Sequence, residues 1–259
     1  MTVIQSIFLG IIQGLTEFLP ISSSGHLVIV PFVLKWDIPP AEAFVFNVLV
    51  QVATLVAVLA FFWKDYYQIL AGVLRGILNR KPFETQPARM GWYILLSTIP
   101  GGIAGLLLKN AVETAFASPR MTAAALLGTA LLLVIAERIG KRLRSLEDIT
   151  WKDALIIGVF QILALFPGLS RSGSTIAGGM TRDFERPAAA RFAFLMAVPI
   201  MLVAGLIALI DLLQIPDLGL LLPVFIPGFI AAAVVGYLAI GWLLSFLGRY
   251  SLYYFAAYC

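Results

Sequence analysis

The 259-residue chain is 61% hydrophobic and 12% charged, with a formal net charge of +4, which is the composition of a polytopic membrane protein and not of a globular one. A single cysteine, Cys259, excludes an internal disulfide and a cysteine metal cage, and a single histidine, His26, excludes His-rich metal sites and any mechanism that needs two histidines. The excess of positive charge collects at the ends of apolar segments, so it speaks for membrane topology and against nucleic-acid binding.

In chain order, residues 1–34 are apolar but interrupted by Glu17, Pro20, three consecutive serines and His26. No cleavable signal peptide is evident, because residues 1–20 have neither a basic start nor a small-residue cleavage site. Apolar stretches of spanning length follow at about 42–63, 91–108, 119–136, 188–213 and 219–247. The segments 64–90 and 138–152 are the only sizeable polar stretches and are expected to be loops. Arg138, Lys141, Arg142 and Arg144 form a basic cluster whose expected role is positive-inside anchoring. Residues 153–181 return to the character of the first segment, broken at Pro167-Gly168.

Lysine and arginine set the orientation. One set of connections carries Lys64 to Arg89, then Arg138 to Lys152, then Arg182, Arg186, Arg191 and Arg249, whereas the opposite set has only Lys35, Lys109 and Arg120. The five stretches alternate correctly if 1–34 and 153–181 each enter and leave the membrane on one side; an ordinary tilted span followed by a loop would spoil that alternation. The expected fold is an all-α polytopic membrane protein, one integral domain over 1–259 with five to six spanning helices and two re-entrant broken-helix hairpins. Repeat one covers about 1–110 and repeat two about 150–259, in inverted topology.

The two hairpins share sequence. Without a gap, Gly10, Gln13, Leu15, Phe18, Ser22, Ser24 and Gly25 match Gly158, Gln161, Leu163, Phe166, Ser170, Ser172 and Gly173, and Phe44 and Phe46 keep the register with Phe192 and Phe194. Apolar matches are cheap in such a chain, but Gln, Ser, Ser and Gly in register are not. A polar interruption repeated inside lipid-soluble sequence is the mark of a site within the bilayer.

The residues at that depth carry chemistry. A carboxylate at the centre of a membrane helix costs about 2.5–3.5 kcal/mol on insertion scales, so Glu17 requires a reason. Gln13 stands one turn earlier on the same face, and the two offer oxygens for a hard cation. After Pro20, the string Ser22-Ser23-Ser24-Gly25-His26 can start a helix whose free N–H groups bind an anion. Ser170-Arg171-Ser172-Gly173-Ser174-Thr175 repeats the logic, with an arginine fork suited to phosphate oxygens. Bringing both copies together assembles Gln13, Glu17, Ser22, Ser23, His26, Ser170, Arg171, Ser172 and Thr175, which are the parts of a phosphoryl-transfer site. No Walker A loop occurs, which argues against soluble nucleotide hydrolysis, and a substrate reached from within the bilayer is expected to be a lipid.

On the motifs Gln13-Gly-Leu-Thr-Glu-Phe-Leu-Pro-Ile-Ser-Ser-Ser-Gly-His26 and Pro167-Gly-Leu-Ser-Arg-Ser-Gly-Ser-Thr175, the chain resembles the undecaprenyl-diphosphatase family, known also as the bacitracin-resistance family. The resemblance covers essentially the whole chain. It implies hydrolysis of undecaprenyl diphosphate to the monophosphate and phosphate, recycling the lipid carrier of bacterial cell-wall synthesis. It implies a divalent metal, Mg2+ or Ca2+, held by Glu17 and Gln13, and a plasma-membrane location with the active site facing outward. The diphosphate would be held by Ser22, Ser24, Gly25, Ser170, Arg171, Ser172, Gly173 and Thr175, and catalysis would fall to Ser23, His26, Glu17 and Arg171. Membrane lipids are the expected surroundings, no nucleic-acid partner is implied, and there is room for a homodimer.

Three positions depart from the family pattern. Gln13 stands where many members carry a second glutamate, Asn47 where the residue is often acidic, and the chain stops at Cys259 where members commonly continue into a last apolar helix. The tail from Tyr250 is too short to span, as in a truncated chain. Three nucleophiles stay open: Ser23 activated by His26, His26 itself, and water; the first is carried forward as the working assignment. The competing class is a polyprenyl-phosphate transporter or flippase, which shares the inverted-repeat architecture but has no use for a nucleophile beside an arginine. The other large membrane lipid-phosphatase family, with its Pro-Ser-Gly-His motif, needs two histidines and is excluded.

Overall fold

The computed structural model describes residues 1–116, 118–212 and 218–259. Its helices are α1 (Val3–Phe18), α2 (Ser23–Val33), α3 (Pro40–Phe61), α4 (Trp63–Leu78), α5 (Gln86–Leu107), α6 (Lys109–Phe116), α7 (Pro119–Ile139), α8 (Trp151–Gln161), α9 (Arg171–Thr181), α10 (Arg186–Leu212), α11 (Leu218–Leu247) and α12 (Tyr253–Tyr258). Among the described residues there is no β-strand, and the protein is an all-α polytopic membrane protein. Helices α3, α5, α7, α10 and α11 are long and apolar enough to cross a bilayer, and they fall on the five stretches read from the sequence. The end of the fourth stretch, Leu213, lies outside the described residues.

Neither α1, with 16 residues, nor α2, with 11, reaches the about 20 residues a span requires. The chain breaks between them at Leu19–Ser22, and again between α8 and α9, where a short 3-10 turn (Ile162–Leu165) leads into Pro167-Gly168. The breaks are copies in detail. Thr2 and Thr150 close capping boxes on α1 and α8, and Ser22 and Ser170 cap α2 and α9 by accepting from the N–H of Gly25 and Gly173. Gly10 and Gly158 serve as matched close-approach points: an added Cβ would meet the Gly228 carbonyl of α11 at 2.2 Å and the Ser97 carbonyl of α5 at 2.4 Å. Each hairpin thus packs on a spanning helix from the other half of the chain.

Between the hairpins sits the main core. Phe18 of α1 meets Phe194 of α10 edge to face at 5.5 Å, and Phe62, Ile176, Met180, Phe184 and Phe192 are buried around them. Helix α9 is buried from Ser172 to Met180, which explains how a helix so poor in large apolar residues persists: protein, not lipid, surrounds it.

One expectation is corrected. The segment 64–90 is not simply a loop, because its first half is α4. Trp63, Tyr67, Leu70, Leu74 and Ile77 recur at helical spacing and face away from the bundle, with Lys64, Asp65, Gln68 and Arg75 between them. That is the pattern of a helix lying in a membrane interface. Of the basic cluster, Arg142 and Arg144 are also ion-paired, as are Arg182 and Arg186. Arg144 forks onto Asp153 at 2.7 and 3.1 Å and Arg182 reaches the same carboxylate at 2.8 Å, while Arg142 and Arg186 pair with the buried Glu137.

Candidate active site

The two helix starts made by the breaks meet at one cavity. It has a volume of about 230 Å³ and is lined by Gln13, Glu17, Ser22, Ser23, Ser24, Ser170 and Arg171, together with Thr16, Asn47, Gln51 and a few apolar residues. Both α2 and α9 point their N-termini at it, so unpaired N–H groups and two positive dipole ends converge there. An anion is the ligand such a place accepts.

Glu17 is the hub. It is 6% exposed; its Oε1 accepts from Arg171 Nη2 at 2.5 Å, and its Oε2 accepts from Gln13 Nε2 at 3.0 Å and from Ser23 Oγ. The Glu17–Arg171 pair joins the two hairpins, and Ser172 Oγ donates to the Leu19 carbonyl at 2.9 Å beside it. Among the described residues, two polar atoms here have no hydrogen-bond partner although buried: Arg171 Nη1 and Gln13 Oε1. A guanidinium N–H and an amide oxygen left over in this way can each bind a further group.

The serines divide their work. Ser22 and Ser170 are caps, and their Oγ atoms lie 3.3 and 3.1 Å from those of Ser24 and Ser172. Ser22 alone is strained, with φ of 66°, a left-handed conformation that costs a non-glycine residue about 1–2 kcal/mol; Ser170 has φ of −64°. Ser23, at the first turn of α2, faces Glu17.

Several expected site residues stand elsewhere than expected. Gly25 and Gly173 give their N–H groups to the caps, so these are not free for phosphate. Thr175 turns its hydroxyl back onto the Arg171 carbonyl at 2.8 Å, the usual refuge of a buried threonine in a helix. Among the described residues, His26 makes no hydrogen bond to Ser23. Its Nδ1 lies 2.7 Å from the Ser22 carbonyl and its Nε2 2.9 Å from the Tyr258 hydroxyl. The carboxylate that Ser23 meets is that of Glu17.

The sequence matches the family described as bacitracin resistance protein BacA over residues 6–259. This chain belongs to the BacA family. Among its BacA relatives, a protein of Chlorobium phaeovibrioides named undecaprenyl-diphosphatase is 45% identical over 269 aligned positions, which cover 100% of this chain and 93% of the relative. The proteins of the same name from Pelodictyon phaeoclathratiforme and Thermomicrobium roseum are 44% and 41% identical, again across 100% of this chain and 93% and 94% of the relatives. In this BacA chain the cavity also recruits Thr16, Asn47 and Gln51, which were not picked out from the sequence as site residues. Asn47 and Gln51 do carry a signal: they stand four apart, on one face of a span otherwise almost wholly apolar. For Tyr258 the sequence offers none.

Proposed function

We propose that the chain hydrolyses undecaprenyl diphosphate to undecaprenyl phosphate and inorganic phosphate, as the names of its relatives indicate. The observation that carries this reading is the linked set Arg171–Glu17–Ser23 at two helix N-termini in one cavity. A transporter of the same architecture is not favoured, because a carrier gains nothing from a nucleophile hydrogen-bonded to a carboxylate.

The diphosphate enters between the helix starts, where the guanidinium of Arg171, whose Nη1 has no partner among the described residues, and the backbone N–H groups of Ser23, Ser24 and Arg171 neutralise its charge. As Arg171 turns to the phosphate, Glu17 is left facing Ser23. Ser23 Oγ forms a bond to the terminal phosphorus while the bridging P–O bond breaks and undecaprenyl phosphate departs with the electron pair. Glu17 receives the Ser23 proton. Water then attacks the phosphorus of the phosphoserine, the P–Oγ bond breaks with its electron pair going to Oγ, Glu17 returns the proton to Oγ, and phosphate leaves with the protons of the water.

A divalent cation fits the donor set, since Gln13 Oε1 is buried without a partner beside the Glu17 carboxylate, and Asn47 and Gln51 line the same cavity. Gln13 and Glu17 would hold Mg2+ or Ca2+, which would neutralise diphosphate charge alongside Arg171. In this reading the two halves are inverted repeats, the membrane is the bacterial plasma membrane, and the cavity opens to its outer side, opposite the basic connections.

Phosphate release from a prenyl diphosphate by purified protein tests the reading. Arg171→Ala is expected to lower kcat/KM by about 10²- to 10³-fold. An unchanged rate in that variant would overturn the phosphate clamp.

A further inference from the structure

We propose that Tyr258 is a positioning residue for the active-site loop, acting through the imidazole of His26; the inference rests on the hydrolase reading of the cavity. The hydroxyl of Tyr258 lies 2.9 Å from His26 Nε2, and the two rings stack at 5.7 Å with only 13° between their planes. The other ring nitrogen, Nδ1, lies 2.7 Å from the Ser22 carbonyl oxygen. A carbonyl only accepts, so Nδ1 carries the proton of the neutral ring and Nε2 accepts from the phenol. The Ser22 carbonyl therefore selects the tautomer, and Tyr258, bonded to the other nitrogen, holds the ring in one plane.

That plane matters because of where the ring points. Ser22 is the residue in left-handed conformation, and its carbonyl accepts both His26 N–H at 3.2 Å and the imidazole. In the second copy the matching cap, Ser170, is unstrained, its carbonyl accepts the Ser174 N–H at 2.8 Å, and Ser174 Oγ has no partner. The imidazole thus appears only in the copy whose turn is strained, and the strained turn is what presents Ser23 to Glu17.

The C-terminal segment is placed for this task. Leu252 N–H donates to Glu137 at 3.1 Å, and Leu252 and Phe255 are buried against the bundle, which seats α12 on α7 beside α2. Tyr258 itself is 63% exposed on the outside of the bundle, and His26 is the one side chain its hydroxyl reaches among the described residues.

The single histidine makes the test direct. In the full chain, labelled with 15N-histidine, one neutral tautomer with the proton on Nδ1 is expected, and Tyr258→Phe, which keeps the stack, should move the Nε2 resonance. An unmoved Nε2 resonance would overturn the contact. In the phosphate-release assay the same variant should lose roughly three- to tenfold in kcat, the worth of one hydrogen bond, with KM within about twofold. Added to His26→Ala it should cost nothing further, because it acts through that ring; a further loss, or full activity in the single variant, would overturn the positioning role. If the wild type released no phosphate from a prenyl diphosphate, the hydrolase reading would fail. The resonance and the amide exchange of Ser22–Gly25 in Tyr258→Phe would still decide whether Tyr258 holds the loop.

Discussion

Ser23 and Ser24 are neighbours in sequence with separate employment, and that difference is open to test. Ser23 donates to Glu17, whereas Ser24 meets only the cap hydroxyl of Ser22. Ser23→Ala is expected to lower phosphate release by at least about a thousandfold, as loss of a nucleophile does, and Ser24→Ala by no more than about tenfold. Rapid quench should trap an acid-stable phosphoserine in the wild type and none in Ser23→Ala. An acid-labile adduct would move the chemistry to His26 instead. Glu17, Ser23 and Arg171 were legible in the sequence because charge and clustered hydroxyls at membrane depth are costly without purpose. The partner of His26 was not legible. Ser23 and Ser22 both lie within one helical turn of it, and which one the ring serves depends on its rotamer and on the docking of α12, a tertiary fact. Asn47 and Gln51 went unassigned because they belong to a span, and only packing turns their face toward the cavity.

The helix breaks, their caps and the five spans could be read from the chain because proline, serine caps and apolar length act locally. The helix α4 could not. Its charged residues alternate with its apolar ones, and a stretch with that average polarity resembles a loop until its two faces are seen apart. The start of α8 shows the same limit, since charges that looked like membrane anchors are clasped around Asp153. Burial alone would raise the pKa of that carboxyl, but hydrogen bonds from Arg144, Thr150 and Arg182 outweigh it and hold the pKa well below the usual carboxylate range. A depressed native pKa gives stability that is full above the ordinary value of 3.8 and is lost as the pH falls through the native value. Asp153→Asn should therefore cost about 3 kcal/mol at neutral pH, since Arg144 and Arg182 lose their counter-charge. Between pH 7 and 5 the gap from wild type should stay constant. In thermal unfolding in detergent it should narrow only under strong acid, and a gap that closed already near pH 6 would contradict this assignment.

At the scale of the molecule, the two hairpins are joined at the cavity by the bonds that the proposed reaction must open. The side chains of Glu17 of α1 and Arg171 of α9 are 5% and 18% exposed and form an ion pair across the two halves. Removing one partner leaves the other charged and buried, a change that costs about 3–5 kcal/mol in such settings, whereas removing both leaves no orphan. Glu17→Gln and Arg171→Met should each lower the unfolding temperature, and the double variant should be no less stable than the weaker single one, a coupling of about 3 kcal/mol or more. Strict additivity would mean that the halves are docked by their glycine contacts and core alone. Coupling would mean that the resting protein keeps its halves together with the arginine that the diphosphate later claims. Inorganic pyrophosphate separates these cases further. Where Arg171 lacks Glu17, the anion restores a counter-charge and should raise the melting temperature of Glu17→Gln more than that of the wild type. It should do nothing for Arg171→Met. The same arginine would then account for both the docking of the two halves and the capture of substrate.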